Sequence, residues 1–133
     1  MNSGVAAVII YGDKIPAINM PYLKLQTNID LPADKQQVVI KTLSRTVAAQ
    51  LGKAERYVMV ALEVGTPMLF AASNEPLAYL ELKSIGLPEE DTGQLSQSLC
   101  RAVDEALGVP SDRIYIEFSN APRHLWGWDG RTF

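Results

Sequence analysis

Two stretches of this chain alternate apolar and polar residues with a period of two, and each leads into a longer stretch whose apolar residues recur with helical spacing. Tyr22-Leu23-Lys24-Leu25-Gln26-Thr27 and Tyr79-Leu80-Glu81-Leu82-Lys83-Ser84 read as strands, and a slide of 57 residues lays one on the other. A slide of 56 residues superposes the helical stretches, with Leu31-Pro32 on Leu87-Pro88, Leu43 on Leu99, Arg45 on Arg101, Val47 on Val103 and Leu51-Gly52 on Leu107-Gly108. Each predicted helix opens at a proline with acidic residues beside it (Asp34; Glu89, Glu90 and Asp91) and ends at a glycine. Between those signals runs one apolar face, Val39, Leu43 and Val47 in the first helix and Leu95, Leu99 and Val103 in the second. A further alternating run follows each helix: Val58, Val60, Leu62 and Val64, then Ile114, Ile116 and Phe118. The repeat is therefore a βαβ unit used twice. It predicts an α/β two-layer sandwich, with a four-stranded mixed sheet and both helices on one face.

Alternation also assigns the faces of that sheet. Leu23, Leu25, Val58, Val60, Leu62, Leu80, Leu82, Ile114, Ile116 and Phe118 should meet the helices. Tyr22, Lys24, Tyr57, Met59, Glu63, Tyr79, Glu81, Lys83, Tyr115 and Glu117 are left on the far side, half aromatic and half charged. Two helices cannot cover both faces, and a largely parallel sheet is rarely left open to water. The far face is expected to pack against other copies in a symmetric oligomer.

Composition narrows the chemistry. At 133 residues the chain suits one domain, and 12 Lys+Arg against 15 Asp+Glu leave a net charge of −3, with no basic excess for nucleic acid. Cys100 and His124 are single, which excludes an intramolecular disulfide, a CxxC pair and zinc sites built from several Cys or His ligands. No metal or other cofactor is expected. Walker-type and GxGxxG loops are absent. Cys100 sits on a predicted helix beside Leu99 and reads as a core residue, and His124 as a surface loop residue. The acidic helix starts read as dipole complements rather than anion sites. The run Val5 to Ile10 is too short for a membrane helix, and it lacks the basic region and cleavage site of a signal peptide, so no membrane partner and a cytoplasmic location are expected.

Met20-Pro21 changes the picture, because the first repeat begins at Pro21 and residues 1–19 have no counterpart in the second. Residues 1–20 are expected to be a leader outside a single domain spanning 21–133. Loss of Met20 would leave Pro21 with a free secondary amine at the head of a strand. Such an amine serves as a general base when burial or a cation such as Lys53 keeps it neutral near pH 7. The plainer reading of Pro21 is a strand start. The tail from Leu125 to Phe133 holds both tryptophans, a composition that suits packing, a subunit interface or pocket walls equally.

From Met20 to Phe133 the sequence resembles the macrophage migration inhibitory factor and D-dopachrome tautomerase family of the tautomerase superfamily. The resemblance is carried by Met20-Pro21, Leu51-Gly52-Lys53, Ser73-Asn74-Glu75-Pro76, Lys83-Ser84-Ile85-Gly86, Asp112-Arg113-Ile114-Tyr115-Ile116, and the closing Gly127-Trp128 to Thr132-Phe133. It implies a tautomerase-like fold and a homotrimer with its active sites at subunit interfaces. It further implies keto–enol tautomerisation of a 2-oxo acid such as phenylpyruvate. On that resemblance Pro21 is the catalytic base, and Lys53 and the backbone amide of Ile85 hold the substrate carboxylate. Tyr115 reaches in from a neighbouring subunit, and Tyr57, Trp128 and Phe133 wall the pocket.

The chain departs from the family pattern at two places. Glu117 stands two residues after the strand tyrosine, where mammalian members carry Asn, and its charge bears on substrate choice. Leu77 and Leu80 replace the CxxC of the mammalian cytokine, so thiol oxidoreductase activity is not expected. The alternative function is a cytokine-like binding protein that engages a protein receptor and is exported without a signal peptide, with the pocket vestigial or secondary. Dehalogenation or decarboxylation on the same scaffold is a third reading, kept open by Glu117 as an activator of water.

Overall fold

A computed structural model describes residues 20–133. The leader expected over residues 1–20 falls outside these described residues except for Met20, which is buried. Strand β1 (Tyr22–Thr27) leads to helix α1 (Ala33–Leu51), and a one-turn 3-10 helix (Glu55–Tyr57) precedes strand β2 (Met59–Glu63). The second unit runs through β3 (Ala78–Ile85), α2 (Thr92–Leu107) and β4 (Ile114–Ala121). Both helices stop where the sequence places the glycine: Gly52 (φ 65°) and Gly108 (φ 73°) take the left-handed conformation that ends a helix at little steric cost. Gly52 and the following Lys53 return their amides to the carbonyls of Ala49 and Ala48.

The four long strands form one sheet in the order β2-β1-β3-β4. Within each repeat the strands are parallel, and the repeats join through the antiparallel β1–β3 pair, in which Tyr22 faces Lys83 and Thr27 faces Ala78. The sheet is mixed, as the repeat predicts. Its inner face is Leu23, Leu25, Leu80, Leu82 and Ile114, packed on Val39, Leu43 and Val47 of α1 and Leu95, Leu99 and Val103 of α2. Val58, Val60, Leu62, Ile116 and Phe118 complete this layer from partly buried positions. Leu23, Leu25, Leu43 and Leu80 have no exposed surface, and removing such side chains from water is the main stabilising term of the fold.

One far-face assignment needs correction. Tyr57 does not lie on the strand, because β2 starts two residues later and Tyr57 ends the 3-10 turn, where alternation no longer sets direction. The charged residues of the far face are linked: Lys24 pairs with Glu63 at 3.5 Å, Gln26 donates to Glu63 at 2.7 Å, and Lys83 pairs with Glu81 at 3.6 Å.

The connection between β2 and β3 turns sharply at Phe70-Ala71-Ala72-Ser73. Phe70 and Ser73 exchange both backbone hydrogen bonds at 3.0 Å, and Ala71 and Ala72 hold positive φ values of 53° and 60°. Alanine pays for that conformation with a Cβ clash. Arg113 holds the connection by donating to the carbonyls of Phe70, Ser73, Glu75 and Pro76 at 2.9–3.2 Å. After β4, a turn over Arg123–Leu125 leads into a short hairpin of β5 (Gly127–Trp128) and β6 (Arg131–Thr132). Among the described residues no helix is long and apolar enough to cross a membrane.

Candidate active site

Pro21 stands at the head of β1, with its side chain fully buried and its carbonyl accepting the amide of Met59 at 3.0 Å. The parallel β1–β2 pair therefore brings Pro21 against the 3-10 turn that carries Arg56 and Tyr57. The tail hairpin closes the other side. Together Met20, Pro21, Tyr22, Arg56, Tyr57, Val58, Met59, Trp126, Gly127 and Trp128 line a cleft of about 220 Å³.

The walls of the cleft are aromatic and mutually braced. Tyr57 meets Trp128 edge to face with centroids 6.4 Å apart, and Phe133 stacks on Trp128 at 6.2 Å and 8°. The hairpin that delivers Trp128 turns at Asp129-Gly130, with φ values of 54° and 77°, the left-handed pair of a type I′ turn. Arg56 rests over the Tyr57 ring, 4.9 Å from its centroid, and its Nη2 donates to Tyr57 Oη at 3.3 Å.

The residues named from the sequence distribute around this cleft unevenly. Pro21, Tyr57 and Trp128 line it, and Phe133 backs Trp128. Ile85, buried at the end of β3, lies two residues past Lys83, the partner of Tyr22, and so shares this end of the sheet. Lys53 follows the α1 cap, is half-buried and is not among the lining residues. Tyr115 is elsewhere: it pairs with Tyr79, which pairs with Gln26, five positions along β1 from Pro21. That separation is about 16 Å along the strand direction. Tyr115 is 66% exposed and packs on Phe70 at 4.8 Å beside a second, apolar hollow lined by Met68, Leu69, Phe70 and Tyr79.

Glu117 is exposed on the far face and accepts a 2.6 Å hydrogen bond from the Tyr79 hydroxyl, which also lies 3.2 Å from Glu81. These contacts hold the Tyr79 phenol well above its usual range, chiefly through the Glu117 bond, then through burial, then through Glu81. Cys100 is buried against the core, and burial pushes its thiol up, opposed by hydrogen bonds with Ser96 and Ser111. His124 is exposed on the turn after β4. Met20, Tyr22, Arg56, Val58 and Met59 are cleft residues that the sequence reading did not assign to a site, whereas Trp126 and Gly127 lie in the tail for which pocket walls were one of the readings.

A four-stranded mixed sheet built from two βαβ units, with a buried proline lining an aromatic cleft, defines a tautomerase-like α/β sandwich. The family model described as "Macrophage migration inhibitory factor (MIF)" matches residues 20–133, and this chain belongs to that family. It is 34% identical to the macrophage migration inhibitory factor homologue of Brugia malayi over 86% of this chain and 99% of the relative, and 29% identical to the mouse factor over the same shares. Among solved structures, a homologue from Prochlorococcus marinus is 42% identical with a TM-score of 0.78, covering 84% of this chain and 98% of its own. The Trichinella spiralis factor, at 31% identity, has a TM-score of 0.77 over 84% and 99%.

Proposed function

We propose that this protein is a keto–enol tautomerase of phenylpyruvate-like 2-oxo acids, with the amine of Pro21 as general base in a chain that begins at that residue. The observation that carries the reading is the position of Pro21, buried and lining a cleft together with Tyr57, Trp126 and Trp128. Burial disfavours a protonated amine and so leaves it unprotonated, and able to accept a proton, near neutral pH. The amine takes a proton from the carbon next to the carbonyl, the electron pair moves into the new C=C bond, the carbonyl oxygen takes up a proton from water, and the hydroxide left behind takes back the proton from the amine. The resemblance gives the carboxylate to Lys53 and the Ile85 amide.

The same proposal makes the working unit a homotrimer. Tyr115 is too far along the sheet to reach the cleft of its own chain, and the exposed Tyr115, Met59 and Leu69 supply apolar surface for a neighbour. With Tyr115, Glu117 would approach the site from the next subunit. While Met20 is attached, the Pro21 nitrogen is a tertiary amide without a basic lone pair, and the buried Met20 is itself one of the residues that line the cleft. The uncut chain therefore favours the second reading, a binding protein of the cytokine-like kind.

The test compares phenylpyruvate turnover, followed by ultraviolet absorbance of the enol, in chains beginning at Met20 and at Pro21. Freeing the amine is expected to raise kcat by about 100-fold or more, the usual contribution of a general base, and Pro21→Gly in the shorter chain is expected to lower it. Equal turnover with and without Met20 overturns the proposal.

A further inference from the structure

Among the described residues ten line the Pro21 cleft within one chain, and of these Arg56 is the one charged side chain, with no acidic residue beside it. Its guanidinium is seated on the Tyr57 wall by the ring contact at 4.9 Å and by one hydrogen bond, from Nη2 to Tyr57 Oη at 3.3 Å. The hydrogen bond of that seat uses one of five N–H donors. The remaining donors lie in the guanidinium plane, where two parallel N–H groups match the two oxygens of a carboxylate. Around it Val58, Met59, Trp126 and Trp128 present apolar surface against which the ring of an aromatic acid can pack. Lys53 stands three residues earlier, before the 3-10 turn, and is not among the residues that line the cleft.

We propose that Arg56 is the principal carboxylate-binding side chain of this cleft, selecting aromatic acids over their neutral counterparts and outweighing Lys53 in that role. The inference rests on the same site as the proposed tautomerase but not on turnover. A ligand that cannot tautomerise tests it.

The chain's two tryptophans, Trp126 and Trp128, both line the cleft, so intrinsic fluorescence reports on this one site. The probes are 3-phenylpropionate and its neutral isostere 3-phenylpropanamide, titrated into the full 133-residue chain and into the chain beginning at Pro21. The acid is expected to quench saturably in at least one of the two chains. Arg56→Ala is expected to weaken the acid by about 10-fold or more and the amide by less than about 2-fold, with Arg56→Lys between the two. Lys53→Ala is expected to weaken the acid less than Arg56→Ala does. Because Arg56 is exposed, acid binding should also weaken with ionic strength while amide binding does not.

Saturable quenching in neither chain overturns the proposal. So does a larger loss from Lys53→Ala, or an equal loss of acid and amide in Arg56→Ala, which would mean that the arginine merely props Tyr57. A cleft that binds the acid through Arg56 but does not turn over phenylpyruvate would sink the tautomerase reading and leave this one standing. Turnover with an affinity indifferent to Arg56 would do the reverse.

Discussion

Arg113→Ala removes one side chain and releases four backbone carbonyls at once. Arg113 reaches from the turn before β4 to Pro76 at 2.9 Å, Phe70 at 3.2 Å, Ser73 at 3.0 Å and Glu75 at 3.1 Å. The bonds to Pro76 and Glu75 are exposed, so water replaces them and each contributes about 0.5 kcal/mol net. Those to Phe70 and Ser73 are part-buried and come from a charged donor, so about 1 kcal/mol each is reasonable. The sum is about 3 kcal/mol. The Phe70 and Ser73 carbonyls also close the turn in which Ala71 and Ala72 sit at positive φ, and relief of that strain offsets the loss rather than adding to it. Urea unfolding followed by far-ultraviolet circular dichroism should show the midpoint falling by about 1–2 M with an unchanged slope. Protein concentration must be fixed, because self-association adds to apparent stability. Hydrogen exchange at the Phe70 and Ser73 amides should accelerate beyond the global change. Arg113→Lys should recover less than half of the loss, since a single ammonium cannot serve four spread carbonyls. A cost under about 1 kcal/mol for Arg113→Ala, with unchanged exchange in the turn, would refute the view that the arginine holds this connection.

Two further outcomes follow from local conformation and charge. Ala72→Gly should stabilise the protein by up to about 1 kcal/mol in the same urea experiment, because relief of the left-handed alanine exceeds the entropy glycine adds to the unfolded chain; a destabilised variant would contradict the strain. Tyr79→Phe should flatten the alkaline limb of the stability curve. The Tyr79 phenol is raised in the fold above its unfolded value near 10, so its contribution is complete below about pH 10 and is lost as pH rises through the folded value. Thermal melts of both proteins from pH 8 to 11 measure this, and parallel curves would exclude the Tyr79–Glu117 bond as its cause.

The sequence by itself determined the layered core, because both of its periods are direct geometric consequences of strand and helix. Leu23, Leu25, Leu80 and Leu82 fall on one side of a pleated strand, and Val39, Leu43 and Val47 on one stripe of a helix, so burying both demands a sheet under helices. Gly52 and Gly108 marked the helix ends because few other residues accept φ near 70°. Much less of the cleft was legible. Its walls come from the 3-10 turn at Glu55–Tyr57 and from strands of two residues each, all too short to show a period. Asp129-Gly130 was the available sign of the tail hairpin. Alternation carried one step too far put Tyr57 on the sheet, and nothing in the local sequence distinguishes Arg56 from a solvated charge. The left-handed Ala71 and Ala72 were equally silent, since alanine gives no hint of a positive φ that a distant arginine enforces. Tertiary structure alone decided that Pro21, Arg56 and Trp128 share one cleft while Tyr115 lies about 16 Å away along the sheet. Local pattern fixes which face a residue presents, whereas the packing of turns and register of strands fix which residues meet.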